Sequence, residues 1–95
     1  MTTERKLTFR QRELLTEALR RWQNFGPPHT GGDTLTTAWT GLGYASQYKP
    51  VVDAGLMEFI GKYEKRCLGW LRLTEAGAAI VQQWIDDGVS VPIDW

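Results

Sequence analysis

The spacing of apolar residues changes at Gly55, and this change constrains the fold more than any other feature of the sequence. After Gly55, apolar residues no longer recur at helical spacing but fall in two short runs, residues 56–63 and 67–73. Runs of this length rich in aromatic and aliphatic residues are typical of strands. The charged stretch 64–66 between them suits a hairpin tip. The sequence therefore predicts a β-hairpin, after which helical spacing resumes.

Helices are predicted on both sides of this hairpin. Thr74 can cap the last helix, with Glu75 in its first turn, where negative charge suits the helix dipole. Residues 86–88 end that helix. The helix before the hairpin ends near Ala54, with Gly55 as its left-handed residue.

The start of the helix before the hairpin is ambiguous because of Pro50. Proline is tolerated in a first turn, where its missing N–H has no partner within the helix. The helix is predicted to start at about Ser46 or Gln47, and a start at Gln47 or Tyr48 puts Pro50 inside that turn. Since the residue before a proline disfavours helical dihedrals, the helix can begin as late as Lys49.

Two further helices are predicted earlier in the chain. Thr8 and Gln11 fit a capping box at the start of the first, which we expect to end at residues 26–28, Gly-Pro-Pro. A loop from about 25 to 33 follows, and then a short second helix over 35–41. Trp39 in that helix, like Trp22 and Trp84 in the first and last helices, lies on an apolar stripe and is predicted to be in the core.

These elements predict one domain over residues 1–95, with a short tail from about residue 88. Its 95 residues are 42% hydrophobic, enough for a small core. The predicted class is mainly α with a small β-hairpin (α+β), in the order α-α-α-β-β-α, which is the order of a winged helix-turn-helix domain.

Two strings then resemble winged-helix repressors of the MarR type. Residues 52–58 (VDAGLME) resemble the end of their recognition helix and the start of their wing. Residues 71–77 (LRLTEAG) resemble the close of the wing and the start of the next helix. The resemblance covers residues 46–85.

This resemblance implies double-stranded DNA as the partner and a regulator of transcription of bacterial or phage type, with a homodimer possible. The recognition helix would enter the major groove, where glutamine can bond to adenine and lysine or serine to phosphate. The basic residues of the hairpin tip would follow the backbone. The implied contacts are Ser46, Gln47, Tyr48, Lys49, Lys62, Lys65 and Arg66.

A second interpretation is an adaptor or inhibitor that binds a protein and not DNA. Net charge is zero, and the chain holds five tryptophans. If Leu71 and Leu73 face the core, Trp70 and Arg72 point outward. There Trp70 stacks on a nucleic-acid base, meets a protein partner, or packs across the hairpin, for example on Phe59. The terminal Trp95 either folds back or meets the same partner.

Catalysis and metal binding have little support in the sequence. The single histidine, His29, and the single cysteine, Cys67, are too few for a metal site, and neither lies in a catalytic motif. We expect no enzyme and no cofactor. Because no run of apolar residues is long enough to cross a bilayer and the N-terminus does not look like a signal peptide, we expect a cytoplasmic protein.

Overall fold

The structure, a computed structural model, describes residues 7–60 and 68–91, with the side chains of 26–30 excepted. Three helices and three strands follow one another along these residues. They are α1 (Phe9–Thr30), β1 (Gly41–Gly43), α2 (Ala45–Val52), β2 (Met57–Phe59), β3 (Gly69–Leu73) and α3 (Glu75–Asp86). The strands form one antiparallel sheet in the order β1-β3-β2. The predicted α+β class is confirmed.

Helix α1 begins as predicted and ends later than predicted. The Thr8 N–H donates to Gln11 Oε1 at 2.9 Å, and the Gln11 N–H donates to Thr8 Oγ1 at 3.1 Å, which completes the capping box. The helix then continues through residues 26–28 to Thr30, so the loop predicted from about residue 25 is wrong. Proline fixes φ near the helical value, so this pair costs helical hydrogen bonds without ending the helix. Gly31, at φ +76°, ends it.

The predicted second helix is absent. Residues 34–38 form a turn in which the Ala38 N–H donates to the Thr34 carbonyl at 2.8 Å, and the Thr34 N–H donates to Thr37 Oγ1 at 3.0 Å. Threonine hydroxyls compete in this way with regular helical bonding. Strand β1 follows this turn, so the order is α-β-α-β-β-α and the predicted order α-α-α-β-β-α is wrong.

Both hairpin strands are present, and the parts of the predicted strands over residues 61–63 and 67 lie outside the described residues. Strand β2 pairs with β3 through Met57 opposite Leu73 and Glu58 opposite Arg72. On the other side of β3, β1 places Leu42 opposite Trp70. The predicted hairpin tip lies outside the described residues.

Helix α2 begins one residue before the earliest predicted start. Its first turn is closed by Gln47, whose Oε1 accepts the Tyr44 N–H at 2.8 Å. Because the helix starts at Ala45, Pro50 lies beyond the first turn, where we had not expected it. The Pro50 carbonyl accepts a hydrogen bond from Gln11 Nε2 at 3.1 Å, which ties α2 to α1.

The core lies between the helices and one face of the sheet. Its largest fully buried side chains come from every helix and from the turn and strands after α2: Leu15, Leu19, Val51, Leu56, Met57, Leu71, Leu73 and Val81. Trp22 and Trp84 pack against this core and are partly buried, which agrees in part with their predicted place.

The two strings that carry the winged-helix resemblance contact each other. The Thr74 N–H donates to the Leu56 carbonyl at 3.1 Å, and Thr74 Oγ1 donates to the Gly55 carbonyl at 2.5 Å. Thr74 also caps α3 as predicted, and Gly55 adopts the predicted left-handed conformation at φ +74°. Gly77 lies so close to the Leu56 carbonyl that a Cβ there would overlap the oxygen. These contacts join the end of α2 to the start of α3.

Candidate binding surfaces

Helix α2 has a core side and an exposed side. Tyr48 and Val51, three residues apart, are buried in the core, whereas Ser46, Gln47 and Lys49 are exposed. Tyr48 was predicted to contact DNA, and its burial (6% exposed) excludes the side chain from such a contact. The helical period decides this, since residues three apart share a face.

Two of the three exposed side chains on α2 already have local partners. Gln47 uses its oxygen to cap the helix, which leaves its NH₂ group as a donor. Lys49 Nζ lies 2.9 Å from Asp53 Oδ2, and both side chains are largely in water. An exposed pair at this spacing contributes about 0.3–0.5 kcal/mol, so phosphate can replace Asp53 at small cost.

The other predicted DNA contacts, Lys62, Lys65 and Arg66, lie outside the described residues, as do Cys67 and the partner-binding candidate Trp95. His29 lies in α1, among the residues whose side chains are not described. The structure therefore brings together only the α2 part of the predicted DNA site.

The sheet has a second exposed surface, on the face away from the core. Leu71 and Leu73 are buried, whereas Trp70 and Arg72 point the other way, as the alternation in the sequence predicts. Leu42 and Glu58 lie opposite them on the neighbouring strands and are exposed. We call this surface the outer face; it comprises Trp39, Leu42, Glu58, Trp70 and Arg72.

Two tryptophans stack on the outer face. The ring centroids of Trp39 and Trp70 are 5.3 Å apart, with 29° between the ring planes. Trp70 therefore packs on Trp39 and not on Phe59, which pairs with Leu71 in the register of the inner face. Trp39 was predicted to be in the core but is 38% exposed, because the helix that would have turned it inward does not form.

An ion pair lies beside the tryptophans on the outer face. Arg72 Nε is 2.8 Å from Glu58 Oε1, and each side chain is about half in water. The two residues are opposite each other in the register of β2 and β3, where opposite charges stabilise a sheet modestly. The sequence predicted that Arg72 points outward, but it did not identify Glu58 or Leu42 as part of this surface. Their pairing depends on strand register.

In the described part of the chain, no three His, Cys, Asp or Glu side chains lie close enough together to hold a metal ion. Nor does any helix there have the length and apolar character needed to cross a membrane. Comparison with protein-family models, with curated proteins and with solved structures found no match for this chain.

Proposed function

We propose that the chain is a small DNA-binding protein of winged-helix type, a cytoplasmic regulator of transcription of bacterial or phage type. The observation that carries this proposal is the two-sided character of α2. It packs on the core through Tyr48 and Val51 and exposes Ser46, Gln47 and Lys49 directly before the β2–β3 hairpin. Hydrogen-bonding side chains on one exposed helix face are what groove binding needs.

The contacts follow from the chemistry of the three side chains. Lys49 exchanges Asp53 for a DNA phosphate. Ser46, in the first turn of α2, donates to the sugar-phosphate backbone of the DNA. Gln47 offers its NH₂ group to an acceptor on a base edge. The connection between β2 and β3 holds three basic residues and one acidic residue, so its net charge is positive.

Assignment to the winged-helix type rests on the contact between the two resembling strings around Leu56, Thr74 and Gly77. That contact supports the fold, and a fold does not by itself determine a function. One helix, α2, takes the place of the predicted helix pair, so recognition here would rely on that helix and the hairpin.

A salt titration of binding to duplex DNA tests the proposal. Because Lys49 releases a counterion from each phosphate it neutralises, the apparent association constant should fall as salt rises, and Lys49→Gln should reduce the slope of log K against log salt by about 0.9. Arg10→Gln is the matched control, since Arg10 is an exposed cation whose partner, Glu13, is on α1 and not on α2.

The wild-type chain and the Arg10→Gln variant should give the same slope. Absence of duplex binding at low salt would contradict the proposal, and equal effects of the two substitutions would contradict the role of α2.

A second candidate function is a protein adaptor, which the outer face favours. The exposed Trp39–Trp70 pair and Arg72 are residue types enriched where interfaces derive most of their energy. Trp95, outside the described residues, stays a predicted partner-binding residue. If this function holds in place of the first, duplex DNA leaves the NMR shifts of α2 unchanged, and Trp70→Ser abolishes partner binding while Lys49→Gln preserves it.

A further inference from the structure

The outer face is mainly apolar, and the proposed DNA contact by α2 does not involve it. Trp39, Leu42 and Trp70 are each roughly two-fifths exposed. Tyr44 and Leu68, one residue beyond the last paired residues of β1 and β3, are exposed as well. With roughly 150–250 Å² per large side chain, the five leave on the order of 400 Å² of mainly apolar surface in water. Patches of about this size on a monomer often have a function.

This area is close to what one subunit contributes to a stable dimer. A standard interface takes about 800 Å² from each partner, and in homodimers about 65% of it is apolar, or roughly 500 Å². The apolar patch supplies most of this apolar area. The polar part of the interface has to come from the residues around the patch.

The charges beside the patch are self-complementary. Arg72 and Glu58 lie opposite each other on the same face, so the face carries one charge of each sign. In a two-fold interface a surface meets a copy of itself, and a face of one sign would repel its partner. A face with one cation and one anion lets Arg72 of one copy reach Glu58 of the other. The net charge of zero removes repulsion between whole chains.

We propose that the outer face is the interface of a homodimer, in which two copies pack their sheets face to face about a two-fold axis. The stacked tryptophans and Leu42 form the apolar centre. Arg72 and Glu58 form the rim and exchange partners across the axis. This proposal concerns a different surface from α2 and does not depend on DNA binding.

Sedimentation velocity of the full chain without DNA, from low micromolar to millimolar concentration, tests the dimer. We expect the mass to rise with concentration towards twice that of one chain. Leu42→Glu places an unpaired charge at the apolar centre and should raise the dimer dissociation constant by about tenfold or more. Phe9→Glu is the matched control: Phe9 is more exposed than Leu42 (79% against 37%) but lies at the start of α1.

A charge-reversal pair tests the arrangement of the rim. Arg72→Glu and Glu58→Arg should each weaken self-association, because each makes the face carry two charges of one sign. An equimolar mixture of the two variants should form a heterodimer at least as readily as the wild-type chain forms its dimer. Far-UV circular dichroism checks that each variant is folded.

Three results would overturn the proposal: a monomer at every concentration, a dimer that resists Leu42→Glu, or a dimer lost equally in Phe9→Glu. None of them bears on the salt titration with DNA, so the two proposals succeed or fail separately.

Discussion

Thr40 shows how tertiary context changes the meaning of a residue. The sequence predicts that Thr40 lies in a helix. In the structure it instead precedes β1, and its N–H donates to the Leu71 carbonyl at 2.9 Å. Its side chain is fully buried, and Oγ1 has no hydrogen-bond partner among the described residues. A buried hydroxyl without a partner lowers stability, because it loses its hydrogen bonds to water and gains none in the protein.

Thr40→Val should therefore raise the free energy of unfolding by about 1 kcal/mol, because valine has nearly the same shape and lacks the hydroxyl. Thr37→Val is the control and should lower it, since Thr37 Oγ1 accepts the Thr34 N–H and stabilises the turn. Urea unfolding followed by circular dichroism measures both. A loss of stability in Thr40→Val would mean that its hydroxyl has a partner after all.

At the scale of elements, the ends of α2 and α3 meet beside β2 in close backbone contact. Glycine within a helix normally costs about 1 kcal/mol relative to alanine, so propensity by itself predicts that Gly77→Ala stabilises α3. The structure reverses this expectation, because a Cβ at Gly77 would overlap the Leu56 carbonyl, a backbone atom that cannot rotate away.

We expect Gly77→Ala to lower the free energy of unfolding by about 3 kcal/mol, at the upper end of overpacking costs. The comparison is Gly55→Ala, where φ is +74° and no atom lies within 4 Å of the added Cβ. That change meets only backbone strain and should cost about 1 kcal/mol. Denaturant unfolding of both variants checks the order; an equal or smaller loss in Gly77→Ala would contradict the contact.

At the scale of the whole molecule, the segment after α3 is tied to the first helix. Gln23 Nε2 donates to the Val89 carbonyl at 2.9 Å, and Gln23 Oε1 accepts the Val91 N–H at 2.9 Å. Asn24 Nδ2 adds a bond to the Val91 carbonyl at 2.7 Å. One amide side chain thus joins segments more than 60 residues apart, and the predicted tail begins as a packed part of the domain.

Gln23→Ala removes two of these bonds and should cost about 1 kcal/mol, since each is partly replaced by water. It should also speed hydrogen exchange at the Val91 amide, which loses its acceptor. Gln82→Ala is the control, because Gln82 donates to Asp86 on the same helix, at 3.0 Å, and its loss should cost less than about 0.5 kcal/mol. Unchanged exchange at Val91 in Gln23→Ala would contradict the tie.

Local chemistry was enough to predict much of this protein from its sequence. The capping box at Thr8, the cap at Thr74 and the left-handed Gly55 depend on residues a few positions apart. The alternation around Leu71 likewise predicted which side chains of β3 point outward. In each case the interaction that determines the structure lies within one element.

Tertiary structure decided what depends on distant residues. Residues 41–43 form a strand because β3 offers a partner, so the predicted helix was lost and Trp39 moved from the core to the outer face. Tyr48 does not belong to the predicted DNA site, because its side chain on α2 is buried in the core. The outer face pairs Leu42 with Trp70 and Glu58 with Arg72 through register, and register is a property of strands packed together, which periodicity along one segment does not contain.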